Sequence, residues 1–156
     1  ATPWARKHWK TLEWNYRKAT YFSDYGSDIS KIFERKWEWL VDLAEEWIRV
    51  ILRWLGIDRD FRRTSEMDVT GKGGDMVVDM CRKTGADSYL SGMHGKDYLE
   101  GEAFGMAGID LQFQDYTCPE YPQCASGSFV PNLSVVDMIL NCGPKSFQLL
   151  MGGHGL

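Results

Sequence analysis

The chain has 156 residues and a mass of 17.9 kDa, and 44% of its residues are hydrophobic while 26% are charged. This composition supplies enough apolar surface for a packed core and excludes a disordered or low-complexity chain. The net charge of −4 argues against a nucleic-acid-binding protein, and no apolar run approaches the roughly 18 residues that span a bilayer, so we predict a soluble cytoplasmic protein with no nucleic-acid partner and no membrane span.

Charge is unevenly distributed along the chain. Residues 1–64 hold 13 Lys and Arg against 10 Asp and Glu, whereas residues 65–156 hold 5 against 12. We therefore expect a basic surface on the N-terminal part and an acidic C-terminal part.

The first part of the chain has the periodicity of helices. Apolar residues recur at intervals of three and four over 5–18, which predicts a first helix. Turn-forming residues at 21–28 interrupt the pattern. From 29 to 55 the helical spacing continues without a break, which predicts one long helix that ends in a left-handed cap at Gly56.

Short apolar segments alternate with helical ones after Gly56. The pattern predicts strand 57–65, helix 75–84, strand 87–92, helix 98–106 and strand 109–116. Alternating strands and helices favour a parallel sheet, here of three strands. A loop at 117–132, a helix at 133–142 and a tail at 144–156 follow, and we expect the tail to fray from Met151 onward. The predicted fold class is therefore α/β, with long N-terminal helices followed by a small parallel sheet with crossover helices.

The four cysteines are predicted to be free thiols, because a chain of this length folds without disulfides and we expect a reducing compartment. None of them has the CxxC spacing of a zinc site, and no histidine pair has the HxxxH spacing. The sequence therefore predicts no metal centre.

Glycines at 71, 73 and 74 precede the predicted helix 75–84 and suggest a phosphate-binding loop, since glycine amides and a helix N-terminus together bind anions. The full GxxxxGK[ST] spacing is absent, so a plain left-handed turn is the favoured interpretation.

The segment 91–98, with the sequence Ser-Gly-Met-His-Gly-Lys-Asp-Tyr, is the first candidate for a binding site. It follows a predicted parallel strand and should lie at the carboxyl edge of the sheet, where open α/β folds bind ligands. Its two glycines allow close backbone approach, and Lys96 with Asp97 supplies opposite charges. A strand-to-helix connection with a surface ion pair is an equally good interpretation of the spacing.

Several segments occur together in a fixed order. They are Arg6-Lys7-His8, Asn15-Tyr16 and Tyr21-Phe22; residues 85–92 with Lys96-Asp97-Tyr98-Leu99; Phe113-Gln114-Asp115-Tyr116 with Tyr121-Pro122-Gln123; residues 129–137; and Asn141-Cys142-Gly143. In this order they resemble the WbqC-like protein family of bacteria, over most of the chain.

The resemblance implies a role in the biosynthesis of O-antigen and other surface polysaccharides. The leading hypothesis is a transferase that moves a group from an activated sugar or acyl or aminoacyl donor to a glycan precursor, without a cofactor. The alternative is a non-catalytic accessory protein that docks a glycan enzyme through its Trp-rich helices. Family members begin with a further segment, so we expect a single domain (helical 1–56, α/β 57–143, tail 144–156) that is the C-terminal part of a longer protein.

The candidate catalytic residues are Lys96, Asp97 and His8, the last of which lies in the first segment of the resemblance. The candidate substrate-binding residues are polar or glycine positions suited to a phosphate-linked donor or to an acceptor: Ser91, Gly92, Tyr98, Gln114, Tyr116, Tyr121, Gln123, Asn132 and Asp137. An exposed apolar patch on 29–55 would favour the accessory protein, whereas a deep pocket lined by Ser91, Lys96 and Tyr98 would favour the enzyme.

Overall fold

A computed structural model describes residues 3–125 and 127–152 of the chain. These residues form two compact units. The first, here called the helical unit, joins residues up to Asp58 with those from Thr117 onward, and the second, the sheet unit, is Arg59–Tyr116.

The described residues form helices and two short strands. In chain order these are α1 (Pro3–Tyr16), α2 (Phe22–Glu34), α3 (Leu40–Leu55), α4 (Gly74–Thr84), β1 (Ser88–Ser91), α5 (Gly101–Met106), β2 (Asp110–Phe113), α6 (Val135–Cys142) and α7 (Ser146–Gly152). Short 3-10 turns occupy Thr64–Glu66, Met93–Asp97 and Gly143–Lys145. The predicted α/β class is confirmed. Within the described part of the chain, no helix combines the length and apolarity needed to cross a membrane.

The prediction of one long helix over 29–55 is wrong. The chain leaves the helix after Glu34, and α3 begins only at Leu40. The Trp37 indole donates a hydrogen bond of 2.7 Å to the Ile32 carbonyl, which satisfies an acceptor that the end of α2 leaves open. The break lets α3 return along α2, so that Trp47 meets Phe33 with ring centroids 5.7 Å apart. The predicted turn at 21–28 is also wrong, because α2 already begins at Phe22.

The core of the helical unit lies between α1, α2 and α6. Its fully buried members include Ala5, Ile29 and Leu140, and half-buried aromatic residues of α1 and α3 pack around them. Gly143, after α6, has a positive φ of +56°, and an added Cβ would lie 2.5 Å from the Tyr21 ring. The backbone can therefore take this course only with glycine at that position.

The sheet unit is built on β1 and β2, which pair in parallel from Ser88 opposite Asp110 to Ser91 opposite Phe113. The helices α4 and α5 supply most of its core, in which Phe104 is fully buried. The predicted parallel pairing of these two strands is therefore confirmed.

The predicted third strand, at 57–65, does not form. The sheet has two strands, and residues 59–63 lie outside any helix or strand. Charged residues occupy most of this segment, so its two apolar side chains, Ile57 and Phe61, cannot give a strand an alternating apolar face. The prediction of three parallel strands is wrong for this reason. The helix predicted at 98–106 forms as α5, but it begins later, at Gly101.

Helix ends follow the local sequence signals. Gly56 and Gly85 cap α3 and α4 in the left-handed conformation, as predicted. The Ser134 hydroxyl accepts a hydrogen bond from the Val136 amide at the start of α6. Helix α7 occupies most of the predicted tail; of the residues expected to fray, 153–156 lie outside the described residues.

Candidate functional site

The predicted site residues divide between the two units. The sheet unit holds Ser91, Gly92, Lys96, Asp97, Tyr98, Gln114 and Tyr116, and the helical unit holds His8, Tyr121, Gln123, Asn132 and Asp137. Each group is described within its own unit.

In the sheet unit, residues 93–97 form a 3-10 turn directly after β1. Ser91 is buried, and its hydroxyl donates a hydrogen bond to the Gly92 carbonyl. The Gln114 backbone N–H donates to the Ser91 carbonyl at 2.7 Å. Gly95 is required here, because an added Cβ would lie 3.0 Å from the Ser91 Cβ and closer still to its hydroxyl. Gly95 therefore serves packing against Ser91 within the unit, whereas Gly92 has open space at its Cβ position.

The charged side chains of this turn point to solvent. The Lys96 ammonium lies 5.5 Å from the centre of the Phe113 ring, a cation–π distance. Asp97 faces His94 at 3.8 Å, and both side chains are largely exposed. Tyr98 is 59% exposed, and Gln114 is also exposed. The turn thus presents separate charges at the carboxyl edge of the sheet, whereas Tyr116 is half-buried at the end of the unit.

The glycine loop before α4 is closed by a side chain of the helix itself. Asp79 accepts hydrogen bonds from the Thr70 amide at 2.7 Å and from its hydroxyl at 3.1 Å. The Thr70 amide and the nearby Lys83 ammonium lower the pKa of Asp79, despite some desolvation. Asp79 thus ties the start of the loop to α4, and this agrees with the interpretation as a structural turn.

The helical unit contains a buried polar cluster around Asp137, which is only 4% exposed. Its Oδ2 accepts hydrogen bonds from the Tyr121 hydroxyl at 2.9 Å and from the Gln123 amide at 3.0 Å. The Asn141 amide donates to Oδ1 at 3.3 Å, and Tyr16 lies close enough to the same carboxylate for its charge to act on the phenol. We call these five residues the Asp137 cluster.

Local sequence brings this cluster together. Asp137 and Asn141 are four residues apart on α6 and share one helix face, and the Asn141 amide also donates to the Asp137 carbonyl at 2.8 Å. Gln123 holds the loop before α6. Its side-chain NH₂ group donates to the Val130 carbonyl at 2.9 Å, and its side-chain oxygen accepts from the Val130 N–H at 3.0 Å. The Cys124 amide donates to the Asn141 side chain at 2.8 Å. Helix and loop are therefore joined by side chains of the cluster itself.

The electrostatics of the cluster keep its phenols protonated. Burial, followed by the charge of Asp137 and its hydrogen bond, raises the pKa of Tyr16 to about 12. Burial and the bond to Asp137 also raise the pKa of Tyr121. Burial and the same charge raise the pKa of the Cys124 and Cys142 thiols. The Asp137 carboxylate is thus surrounded by neutral side chains, three of which donate hydrogen bonds to its oxygens.

Tyr16 and Gln123 form the half-exposed edge of the cluster, whereas Asp137, Tyr121 and Asn141 are buried. The described residues contain no group of three or more His, Cys, Asp or Glu side chains that could hold a metal ion. All four cysteines are free thiols.

Two predicted residues of the helical unit lie apart from this cluster's hydrogen bonds. Asn132 is exposed with a positive φ of 58°, and its amide donates to the Cys118 sulfur at 3.3 Å. His8 is exposed on α1, where its Nδ1 donates to the Trp4 carbonyl at 2.9 Å and its ring stacks on Phe33. Since Nδ1 is the donor, Nε2 is the ring nitrogen that faces other partners.

Comparison with known proteins shows the family. The chain matches the WbqC-like protein family over residues 1–149. It belongs to that family. It is 25% identical over 146 residues to an uncharacterized protein of Mycobacterium tuberculosis, an alignment that covers 93% of this chain and 63% of that protein. The chain thus spans less than two thirds of the length of this relative. No solved structure matches it.

The segments that signal the WbqC-like family also build the cluster. Asn15-Tyr16 ends α1, Tyr121 and Gln123 lie in one loop, and Asp137 and Asn141 lie on α6. The sequence singled out Tyr121, Gln123 and Asp137 as candidate site residues, and the structure brings those three together. Tyr16 and Asn141 are not among the candidate site residues predicted from the sequence. Both lie in the segments that carry the family resemblance, and Asn141 stands one helical turn after Asp137.

Proposed function

We propose that this WbqC-like chain acts in the biosynthesis of bacterial surface polysaccharides, as a transferase from an activated sugar or acyl or aminoacyl donor to a glycan precursor. Family membership supports the biological setting. The Asp137 cluster carries the catalytic part of the proposal, because a nearly buried carboxylate among neutral polar side chains, two of them half-exposed, suits general-base catalysis.

In this proposal Asp137 accepts the proton of the acceptor's hydroxyl or amino group while that group attacks the donor. A bond forms between the acceptor oxygen or nitrogen and the donor carbon. The bond from this carbon to the leaving group breaks, and the leaving group departs with the electron pair. Tyr16 and Gln123, at the half-exposed edge, orient the acceptor, while Tyr121 fixes the carboxylate.

The catalytic roles of Lys96, Asp97 and His8 stay predictions. Lys96 is the member of this group best placed to meet an anionic ligand, since it stands on an exposed turn at the carboxyl edge of β1. The Lys96→Ala variant should weaken donor binding without lowering the melting temperature if that role is correct. Unchanged donor binding would remove Lys96 from the site.

Complementation of a strain that lacks the gene tests the proposed function. The full-length gene should restore surface polysaccharide on a gel, and so should the Glu38→Gln control, which changes an exposed carboxylate of the same unit. Asp137→Asn and the milder Tyr16→Phe should fail to restore it at protein levels matched by immunoblot. Normal polysaccharide from a strain without the gene, or from the Asp137→Asn variant, would contradict the proposal.

A second candidate function, as an accessory protein that docks a partner enzyme, is favoured by the apolar surface at the start of α3. Trp39 is 69% exposed, Leu40 79%, Val41 49% and Ile48 44%. The last three recur at helical spacing on one face, which is typical of an interaction surface. In this case a Leu40→Ser, Ile48→Ser variant should lose polysaccharide while it still folds, and the unmodified protein by itself should turn over no donor.

A further inference from the structure

The outer face of α1 carries a shallow, solvent-open depression of about 590 Å³ between the side chains of successive helical turns. Its lining includes Arg6, Lys7, Lys10, Thr11, Trp14 and Asn15, which lie on successive turns of the helix. We call this feature the basic groove. It ends at Asn15, directly before Tyr16 of the Asp137 cluster, and the Asn15 carbonyl lies 3.6 Å from the Cys124 sulfur.

The cations of the basic groove are uncompensated. Among the ion pairs within the described part of the chain, none involves Arg6, Lys7 or Lys10. Helix α1 contains one acidic residue, Glu13, and none in its first turn. A surface that carries charge of one sign attracts ligands of the opposite charge.

A second cleft, between α2 and α3, shows the opposite arrangement. There Asp28 pairs with both Lys31 and Arg53 at 3.3 Å, and Arg35 pairs with Glu46 at 3.7 Å. Its basic residues are therefore neutralised by the protein's own carboxylates. In the basic groove, by contrast, Arg6, Lys7 and Lys10 have no such carboxylate partner among the described residues.

Trp14 gives the basic groove an aromatic wall. Its side chain is 69% exposed even though the Arg17 guanidinium lies over its ring at 4.1 Å. Beside it, the Thr11 hydroxyl donates to the Lys7 carbonyl and the Asn15 amide donates to the Thr11 carbonyl. The oxygen atoms of both side chains thus remain acceptors, and they suit a ligand that carries hydroxyl groups.

We infer that the basic groove binds a nucleoside diphosphate ester. Arg6, Lys7 and Lys10 meet the diphosphate, and the base stacks on Trp14. A nucleotide has this combination of adjacent negative charges, hydroxyls and an aromatic ring, whereas inorganic phosphate has only the charge. The inference deepens the proposed function, on which it rests, by naming the donor class.

Isothermal titration of the chain with UDP and with inorganic pyrophosphate tests this inference. UDP should bind more tightly than pyrophosphate, because stacking of a base on an aromatic side chain contributes about 1–3 kcal/mol. The Trp14→Ala variant should lower the UDP affinity about tenfold, towards that of pyrophosphate, and leave pyrophosphate binding unchanged. The Lys7→Ala, Lys10→Ala variant should weaken both ligands by about 10–100-fold, the range expected for contacts to charged groups.

A matched variant, Lys36→Ala with Lys145→Ala, removes the same charge from exposed positions elsewhere in the helical unit. It should bind UDP like the unmodified chain at the same ionic strength. The inference is overturned by the absence of saturable UDP binding, by equal losses in the two double variants, or by binding of α1 to phosphatidylglycerol vesicles but not to UDP. If UDP binds as expected while Asp137→Asn still restores polysaccharide, the groove stands and the proposed catalysis fails.

Discussion

Replacing Asp137 by asparagine keeps the shape of the side chain and removes its charge and one acceptor oxygen. In the structure Oδ2 accepts hydrogen bonds from Tyr121 and Gln123, while Oδ1 faces the Asn141 amide at 3.3 Å. An asparagine amide in either orientation points N–H groups at one of these donors. We therefore expect both a loss of stability and a change in the titration of the tyrosines.

The magnitude follows from the contacts. Hydrogen bonds to charged groups contribute about 1.5–3 kcal/mol, and this is the expected loss in the free energy of unfolding of Asp137→Asn. For a chain of this length it corresponds to a fall of about 3–12 °C in the melting temperature. The Tyr16 pKa, raised to about 12 by burial and by Asp137, should move towards its ordinary value but stay above it, since burial remains.

Thermal unfolding by circular dichroism and phenolate absorbance against pH measure the two effects. Tyr121→Phe removes a single donor and should lose less stability than Asp137→Asn. It should therefore remain folded even if Asp137→Asn fails to fold. The control Glu38→Gln should stay within about 0.5 kcal/mol of the unmodified chain, because that carboxylate is exposed. An unchanged melting temperature and an unchanged tyrosine titration in Asp137→Asn would refute the reasoning.

Three further predictions concern backbone and pH. Gly95→Ala should lower the free energy of unfolding by about 1–3 kcal/mol, because the added methyl lies 3.0 Å from the Cβ of Ser91, the last residue of β1. The methyl of Gly105→Ala meets nothing within 4 Å, so that variant should be tolerated; chemical denaturation compares the two. Gly143→Ala combines backbone strain with a methyl 2.5 Å from the Tyr21 ring and should cost about 2–6 kcal/mol, so a loss no larger than for Gly105→Ala would contradict the close approach. The folded-state pKa of Tyr16, about 12, lies above its ordinary value of 10.0, so the contribution of this residue to stability is complete below pH 10 and lost as the pH rises to about 12. In Tyr16→Phe, denaturation midpoints should therefore fall less steeply across this window.

The elements that the sequence predicts well are those fixed by local signals. Ser134 caps α6, and Gly56 and Gly85 end α3 and α4, since cap and stop residues act within one helical turn. The break between α2 and α3 has no such signal, because apolar spacing continues through it. It depends on the bond from the Trp37 indole to Ile32 and on packing between the two helices.

The candidate site shows the same limit. The family segments and polar side chains indicate Tyr121, Gln123 and Asp137, which the structure brings together. Their burial, and the approach of Tyr16 from the other end of the helical unit's sequence, depend on long-range packing that no local pattern specifies. The sequence also gives no sign that the cations of α1 lack carboxylate partners, since pairing is decided by neighbours in space.

Transfer itself is the most direct test of the proposed catalytic role of Asp137. A thermal-shift screen of the full-length protein with nucleotide sugars and acyl or aminoacyl donors identifies the donor by its stabilisation of the fold. Mass spectrometry then follows consumption of that donor with a glycan precursor. We expect turnover by the unmodified protein, and turnover at least about 100-fold slower by Asp137→Asn with donor affinity retained, the range for loss of a general base. Donor consumption at the unmodified rate by Asp137→Asn, or no donor bound or consumed by the unmodified protein, would contradict that role.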